Sequence, residues 1–464
     1  MNFTLFGMFS DVAVVSAFLL CAKIVRSKVA WLQNHYIPSS LIAGFAALLL
    51  SEQFAGLFAW TEEAASYPYL LICILFAGIF LGRKGVGNAK EVFSKVGDTF
   101  FVNTGSEVLC FGVPLLLGGV IMAVAFPAVF PELALLLPAG FPGGHGYAAA
   151  IGGALNSLLG RGDAVYIGQT FATIGLLVGL IGGVAVVNLG IRMRATRLVW
   201  AASELPEEMR TGLLPEGRRP SMGSETVSPM SIDPLAWHLC LILVSAGIGY
   251  LAQQGLAIVL PGIDFPLMCL TMLGGLLLQK ILDGLGYSDY VDKKVIDRIG
   301  GCLTDYLVAF GVATIRVSVI AEFWQPITVL CIMGTVLPLL IVFFIGRRLF
   351  RNFWFERSVF MFGYLTGIVA VGITLLRNVD PEMRSGTLAD YGLSYTVQSL
   401  VEIALVASSP FLVVSAGVVP AGALLTAIGL VMLAVCWRAY GLQPASPSSM
   451  RAGEGEVLKD AGIR

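Results

Sequence analysis

The residues best suited to chemistry lie at a break in an apolar segment. Residues 143–147 read Gly-Gly-His-Gly-Tyr, within the apolar stretch 132–157. Glycine leaves backbone N–H groups accessible to a bound anion, and His145 can donate a further hydrogen bond. We predict that Gly143, Gly144, His145, Gly146 and Tyr147 bind the anionic group of a ligand. The alternative is a turn that needs glycine only for its shape, with His145 bonded to a backbone carbonyl.

A second polar group follows on the next apolar segment. Gln169, Thr170 and Thr173 stand there, and the two threonines are three residues apart, on one helix face. Hydroxyl and amide oxygens suit a hard cation. We therefore predict that these residues bind Na+ or contact substrate. Alternatively, each hydroxyl bonds back to its own helix.

A third polar group lies near the C-terminus, on the segment 391–414. Its members are Tyr395, Thr396, Gln398, Ser399 and Glu402, of which Tyr395, Gln398 and Glu402 share a helix face. A carboxylate inside a membrane span is a functional candidate, because isolation there is costly. We predict that Thr396 and Glu402 bind Na+ and that Gln398 and Ser399 contact substrate. Glu402 could instead take a proton, or make only an interhelical hydrogen bond.

Two other charges in apolar segments are given no place in this site. Arg316 can bind a carboxylate, but such a residue more often extends to the membrane interface. Its counterpart in the first half, Arg83, stands at a helix end, so we expect the same of Arg316. Glu107 either pairs with a cation or lies near the cytoplasmic end of its span.

The composition indicates what kind of element must position these residues. The chain has 464 residues, 57% hydrophobic and only 13% charged, with a mean hydropathy of +0.84. Soluble domains carry about 25% charged residues, so the chain is predicted to be an all-α integral membrane protein in a lipid bilayer. There is no basic stripe for nucleic acid and no nucleotide-binding glycine motif. The eight cysteines are scattered singly, so no disulfide framework is expected.

Apolar stretches of about 20 residues mark the membrane spans. They lie near 7–26, 37–58, 68–82, 98–125, 165–191, 235–259, 265–282, 303–321, 326–346, 391–414 and 417–437. Lys and Arg fall in alternate loops, which predicts an N-terminus outside and basic loops in the cytoplasm. The stretch 132–157 must then begin and end outside, and 354–376 must begin and end inside. Both are predicted to be re-entrant hairpins.

The two hairpins belong to an internal repeat. IPSSLIAGFAALLL (37–50) aligns with FPLMCLTMLGGLLL (265–278), FAGIFLGR (76–83) with AFGVATIR (309–316), and FPGGHGYAAAIGGAL (141–155) with FGYLTGIVAVGITLL (362–376), at offsets of 221 to 233 residues. The halves start on opposite sides, so the repeat is inverted. We predict repeats at 1–191 and 235–415, a cytoplasmic linker 192–234, an additional helix 416–440 and a cytoplasmic tail 441–464. Each repeat has about five spans and one hairpin.

Inverted repeats with broken segments near the bilayer midplane are typical of secondary transporters. An intramembrane enzyme would need a catalytic group at depth, which three histidines and no paired intramembrane Asp do not supply. A channel more often has an oligomeric filter. The alignment also places Thr366 and Gly367 at the tip of the second hairpin, where we predict substrate contact.

GGHG (143–146) followed by TFATIGLLVGLIGG (170–183) resembles the bacterial sodium/glutamate symporters, over about residues 5–415. The resemblance implies sodium-coupled symport of glutamate or a similar acidic amino acid, with Na+ as the coupling ion. It also implies alternating access by an elevator-like movement, a homodimer, and location in the bacterial cytoplasmic membrane.

The chain departs from that family at the second hairpin. The tip reads Gly367-Ile368-Val369-Ala370, where the relatives have a small polar sequence of the kind Gly-Ala-Thr-Pro. Tyr147 stands where a small hydroxyl residue is usual. The alternative function is therefore sodium- or proton-coupled transport of a different small organic anion.

Overall fold

The structure is a computed structural model. It describes residues 4–34, 37–82, 89–196, 198, 213–214, 216–259, 267–380 and 384–442. Some predicted features lie outside the described residues, namely Arg83, Pro266 at the start of its aligned segment, residues 197, 199–212 and 215 of the linker 192–234, and the tail beyond Leu442.

Regular secondary structure in the described residues is helical, and the one β-type pairing there is a bridge between Ser51 and Phe58. Long runs of apolar side chains explain the helices, since a buried or lipid-facing backbone must bond within its own segment. The helices are α1 (Leu5–Lys28), α2 (Ala30–Asn34), α3 (Ser39–Leu50), α4 (Tyr67–Ala77), α5 (Ala89–Val113), α6 (Gly119–Ala125), α7 (Leu133–Gly140), α8 (Gly144–Leu159), α9 (Ala164–Leu177), α10 (Gly183–Arg192), α11 (Pro234–Val259), α12 (Leu267–Leu285), α13 (Lys293–Ala313), α14 (Val317–Glu322), α15 (Trp324–Leu340), α16 (Arg347–Leu349), α17 (Trp354–Thr366), α18 (Val369–Val379), α19 (Thr387–Ala416) and α20 (Val418–Tyr440).

Seven of the helical stretches in the described residues are long and apolar enough to cross a membrane. They are Leu5–Lys28, Val96–Ala125, Ala164–Arg192, Pro234–Val259, Trp324–Leu349, Val397–Ala416 and Val418–Tyr440. Three predicted spans are shorter or broken. The helix predicted over 37–58 ends at Leu50, and that over 68–82 ends at Ala77, before Gly78. The segment 303–321 breaks after Ala313, between α13 and α14.

Both interrupted stretches fold as helix, break, helix. In the first, α7 and α8 are separated by residues 141–143. In the second, α17 and α18 are separated by Gly367 and Ile368. A Cβ on Gly363 would lie 2.5 Å from the Cα of Gly372, and one on Gly372 would lie 2.6 Å from the carbonyl of Phe360. These contacts place α18 antiparallel to α17, so the chain turns back at Gly367.

Three π-helical turns interrupt long helices in the described residues, and one of them, Val178–Gly182, joins α9 to α10. A π-helical turn at Pro114–Gly118 joins α5 to α6, and another at Ile341–Gly346 joins α15 to α16. Pro114 opens the first turn, and Pro338 stands three residues before the second. Proline removes an N–H from the helical ladder, which favours a local change of hydrogen bonding.

The long helices form two groups. The peripheral group contains α1, α3, α4, α11, α12 and α13. The hairpin group contains α5 to α10 and α15 to α20.

Within the peripheral group, α3 packs against α13 and α4 against α12, which joins the two halves of the chain. Each contact uses a glycine, because Gly44 of α3 lies against Ala309 and Gly275 of α12 against Ala77. Contacts between the groups are fewer, mainly α4 with α8 and α13 with α8 and α9.

Candidate functional site

The breaks of the two hairpins meet inside the protein. A Cβ on Gly144, the first residue of α8, would lie 2.8 Å from Cγ2 of Ile368 and 3.7 Å from the carbonyl oxygen of Gly367. Gly144 has φ +60°, a left-handed conformation that favours glycine. The N-termini of α8 and α18 therefore converge at one point. The first N–H groups of a helix lack intrahelical partners and attract anions.

Helix α9 passes beside both breaks. A Cβ on Gly175 would lie 2.5 Å from the carbonyl oxygen of Thr366 and 3.0 Å from the ring of Phe141. Glycine at this position allows α9 to reach the C-terminal ends of α7 and α17 at once. Such ends carry partial negative charge and attract cations.

His145 is held by two residues of α9. Its Nε2 lies 3.1 Å from the hydroxyl oxygen of Thr173, and the Gln169 side chain donates to the His145 carbonyl at 3.1 Å. All three side chains are buried. Oε1 of Gln169 has no hydrogen-bond partner among protein atoms. Gly311 of α13 faces both groups, so this cluster lies where the hairpin group contacts the peripheral group.

The other first-half candidates are placed close by. Gly146 lies against Ile72 of α4, and Gly143 stands at the turn before α8. Thr170 donates its hydroxyl to the Tyr166 carbonyl, and Thr173 donates to the Gln169 carbonyl. Thr366 likewise donates to its own helix, at the Phe362 carbonyl. These hydroxyls keep an oxygen lone pair for a further partner.

Glu402 is the centre of a separate buried cluster. Its Oε2 accepts hydrogen bonds from the hydroxyls of Tyr147 at 3.1 Å and Tyr395 at 3.0 Å. Its Oε1 accepts from the Gln398 amide at 3.2 Å. Tyr147 belongs to the first hairpin and Glu402 to α19, so the first hairpin and α19 meet here. Ser399 is also buried, and the side chain of Thr396 lies outside the described residues.

The structure adds Glu107 to this cluster. Gln398 Nε2, which donates to Glu402, also donates to Glu107 Oε2 at 3.0 Å. The sequence left Glu107 either paired with a cation or near the cytoplasmic end of its span, and gave it no place in the site; Glu107 is only 4% exposed. The sequence does contain a signal for including Glu107 in the site, because an acid within a long apolar segment is a functional candidate by position alone.

Arg316 stands apart from these clusters. It is exposed, and its guanidinium lies 4.5 Å from the ring centroid of Tyr166. Both line a cavity of about 360 Å³ that Glu52, Gln53 and Thr314 also border. No hydrogen bond in the described residues joins Arg316 to the His145 or Glu402 clusters.

The seven long apolar helices of the described part of the chain, with buried polar clusters at helix breaks, define a multi-pass membrane protein. Residues 5–378 match the sequence model of the sodium/glutamate symporter family. The chain therefore belongs to that family, which comprises membrane symporters of sodium and amino acids and not enzymes. No curated protein matches the chain. Helix α19, which carries Gln398 and Glu402, lies beyond the matched residues.

Proposed function

We propose that the protein carries out sodium-coupled symport of glutamate or a similar acidic amino acid in the bacterial cytoplasmic membrane. Family membership supports this proposal. The observation that carries it is the approach of the two helix breaks at Gly144 and Ile368. Broken helices that meet inside a transporter commonly hold substrate and coupling ion.

The substrate carboxylate is proposed to bind at the N-termini of α8 and α18. The N–H groups of Gly144, His145 and Gly146 open α8 and suit an anion. His145, held by Thr173, can donate a hydrogen bond, and Gly143, Thr366 and Gly367 frame the same point. Sodium is proposed to bind among oxygens of Gln169, Thr170 and Thr173 and, on α19, Thr396 and Glu402.

The arrangement of the halves is proposed to be an inverted repeat with two re-entrant hairpins. The reciprocal packing of α3 on α13 and α4 on α12 supports it, as do the π-helical turns of both halves. With basic loops in the cytoplasm, the N-terminus lies outside, and the linker and tail lie inside. We also propose that two copies of the chain form a homodimer.

Alternating access is proposed to occur by movement of the hairpin group against the peripheral group. Three cavities support a boundary of this kind. Residues of α4 and α13 face Tyr395 across about 270 Å³, and residues 62–69 face α8 and α9 across about 210 Å³. The third, bordered by Glu52 and Tyr166, has about 360 Å³. Loose packing at a boundary lets one group slide past the other.

The test is uptake of labelled glutamate by proteoliposomes that contain the purified protein. An inward sodium gradient should drive accumulation, and an equal potassium gradient should not. Sodium-independent uptake would contradict the coupling. The apolar tip at Ile368 favours one alternative, a different organic anion, so unlabelled dicarboxylates should be tested as competitors. Uptake of another labelled dicarboxylate, without glutamate uptake, would replace the proposed substrate.

A further inference from the structure

Two buried carboxylates from opposite halves of the chain are joined by one amide. Gln398 Nε2 lies 3.0 Å from Glu107 Oε2 and 3.2 Å from Glu402 Oε1. The exposed fractions are 4% for Glu107, 8% for Glu402 and 0% for Gln398. Helices α5 and α19, which carry the two acids, pack directly against each other. The cluster is therefore an enclosed junction between the two halves.

This junction has no basic partner within the described part of the chain. The ion pairs found there involve Asp98, Asp163, Asp297 and Asp390, and neither Glu107 nor Glu402. The titratable groups that face the pair are Cys110 of α5, Tyr147 of α8, Tyr364 of α17, and Tyr391 and Tyr395 of α19. None of them supplies positive charge. Two carboxylates in a medium of low dielectric require compensating positive charge, which is either a bound cation or a proton held between them.

Two neutral oxygens in the junction have no protein partner. Gln398 Oε1 and the Tyr364 hydroxyl are both buried without a hydrogen bond from the protein. Tyr364 lies beside Gln398, and its ring is 5.6 Å from that of Tyr391. A buried oxygen without a partner loses free energy comparable to a hydrogen bond. Half a turn of the Gln398 amide would bring Oε1 between the carboxylates, where its NH2 group now lies.

We infer that Glu107, Glu402, Gln398 and Tyr364 form a binding site for a dehydrated sodium ion that joins α5 to α19. This inference rests on the proposed symport and extends it, because it makes Glu107 and Tyr364 ligands and assigns Gln398 to the ion. Two carboxylate oxygens, one amide oxygen and one hydroxyl are hard oxygen ligands of the type that such cations prefer. Tyr147, which donates to Glu402, is a positioning residue that connects this ion to the first hairpin.

A route for the ion is present on the side of the basic loops. The cavity of about 270 Å³ is lined by Lys293 and Asp297 at the start of α13 and by Tyr395 of α19. Tyr395 donates directly to Glu402 at 3.0 Å. A rotation of the Tyr395 side chain would open the cavity towards the carboxylate pair. The site is thus positioned to exchange its ion with the cytoplasm.

The first test measures Tm of the purified full-length protein in sodium, potassium and choline chloride at equal ionic strength. Sodium should raise Tm above the other two salts. Glu107→Gln and Tyr364→Phe should remove or reduce this sodium-specific increase. Glu225→Gln, at an exposed carboxylate, is the matched control and should keep it. If Glu107→Gln does not fold, Glu107→Asp and Tyr364→Phe decide the question.

Uptake gives the second measurement. Glu107→Gln should raise the sodium KM by about ten-fold or more, as loss of a metal-site group does, and should change the glutamate KM less at saturating sodium. Unchanged sodium-specific Tm and sodium KM in both variants would overturn the site. A Tm increase produced by acid and not by sodium would show that a proton occupies it. Sodium-specific stabilisation without glutamate uptake would leave this site standing and reject the proposed function.

Discussion

At the residue scale, the hydrogen bond between His145 and Thr173 can be tested by removing the threonine hydroxyl. Thr173→Val removes the hydroxyl but keeps the side-chain shape. It leaves Nε2 of His145 buried without a partner, which should destabilise the protein by about 1–3 kcal/mol. We expect a lower Tm and a higher glutamate KM. Thr328→Val is the control, because Thr328 is exposed and also bonds to its own helix; an equal loss in both variants would contradict the role of the contact.

The side chains show what spacing alone could predict about the site. The face shared by Tyr395, Gln398 and Glu402 was predictable because helical periodicity places such residues together, and hydrogen bonds join them. The place of Glu107 beside them was not predictable, since its hydrogen-bond partner Gln398 stands 291 residues later and only tertiary packing brings the two together. Substrate contact by Tyr147 stays a prediction, and the hydrogen bond from its hydroxyl to Glu402 was not predicted. Spacing in the sequence predicts which side chains share one face of a helix, but it does not predict which other helix packs against that face.

At the scale of elements, the contact between the two hairpin tips can be tested with glycines. Gly144→Ala forces a left-handed conformation on alanine, at about 1–2 kcal/mol, and also brings a methyl group against Ile368. Gly160 has φ +63° but open space around it, so Gly160→Ala has only the conformational cost. We expect Gly144→Ala to lower Tm further than Gly160→Ala and to reduce glutamate uptake strongly.

The double variant Gly144→Ala/Ile368→Ala isolates the steric part of this effect. The smaller side chain at 368 leaves room for the new methyl group, so part of the lost Tm should return. Ile368→Ala alone provides the reference. If the double variant is no better than the sum of the two single variants, the tips are not in contact in the membrane.

The elements themselves were predicted unevenly. Turn-back at 132–157 and 354–376 was predicted from loop charge, and both stretches are interrupted helices, with breaks at 141–143 and 367–368. Their position relative to a bilayer stays a prediction. The ends of α3 and α4 were placed too late, because apolar residues recur after Leu50 and after Ala77 in chain that is not helical. The π-helical turns carry no hydropathy signal and were not predicted.

At the scale of the whole molecule, proposed transport requires the hairpin group to move past the peripheral group. A covalent link across their boundary should therefore stop uptake. Ala65, before α4, and Gly153, on α8, line the same cavity of about 210 Å³. Ala65→Cys/Gly153→Cys can be joined with a short bifunctional thiol reagent that dithiothreitol reverses. The exposed Cys21, Cys240 and Cys302 must first be replaced.

The matched control uses the same cavity and the same cysteine at position 153. Gly162 also lines it, but both Gly153 and Gly162 belong to the hairpin group, and a side chain at either meets open space. Linking Gly153→Cys/Gly162→Cys should leave uptake intact, because nothing moves between these two positions. Linking Ala65→Cys/Gly153→Cys should abolish uptake until the link is reduced. Equal uptake in both linked proteins would exclude movement at this boundary, whereas equal loss would show that the reagent itself blocks the cavity.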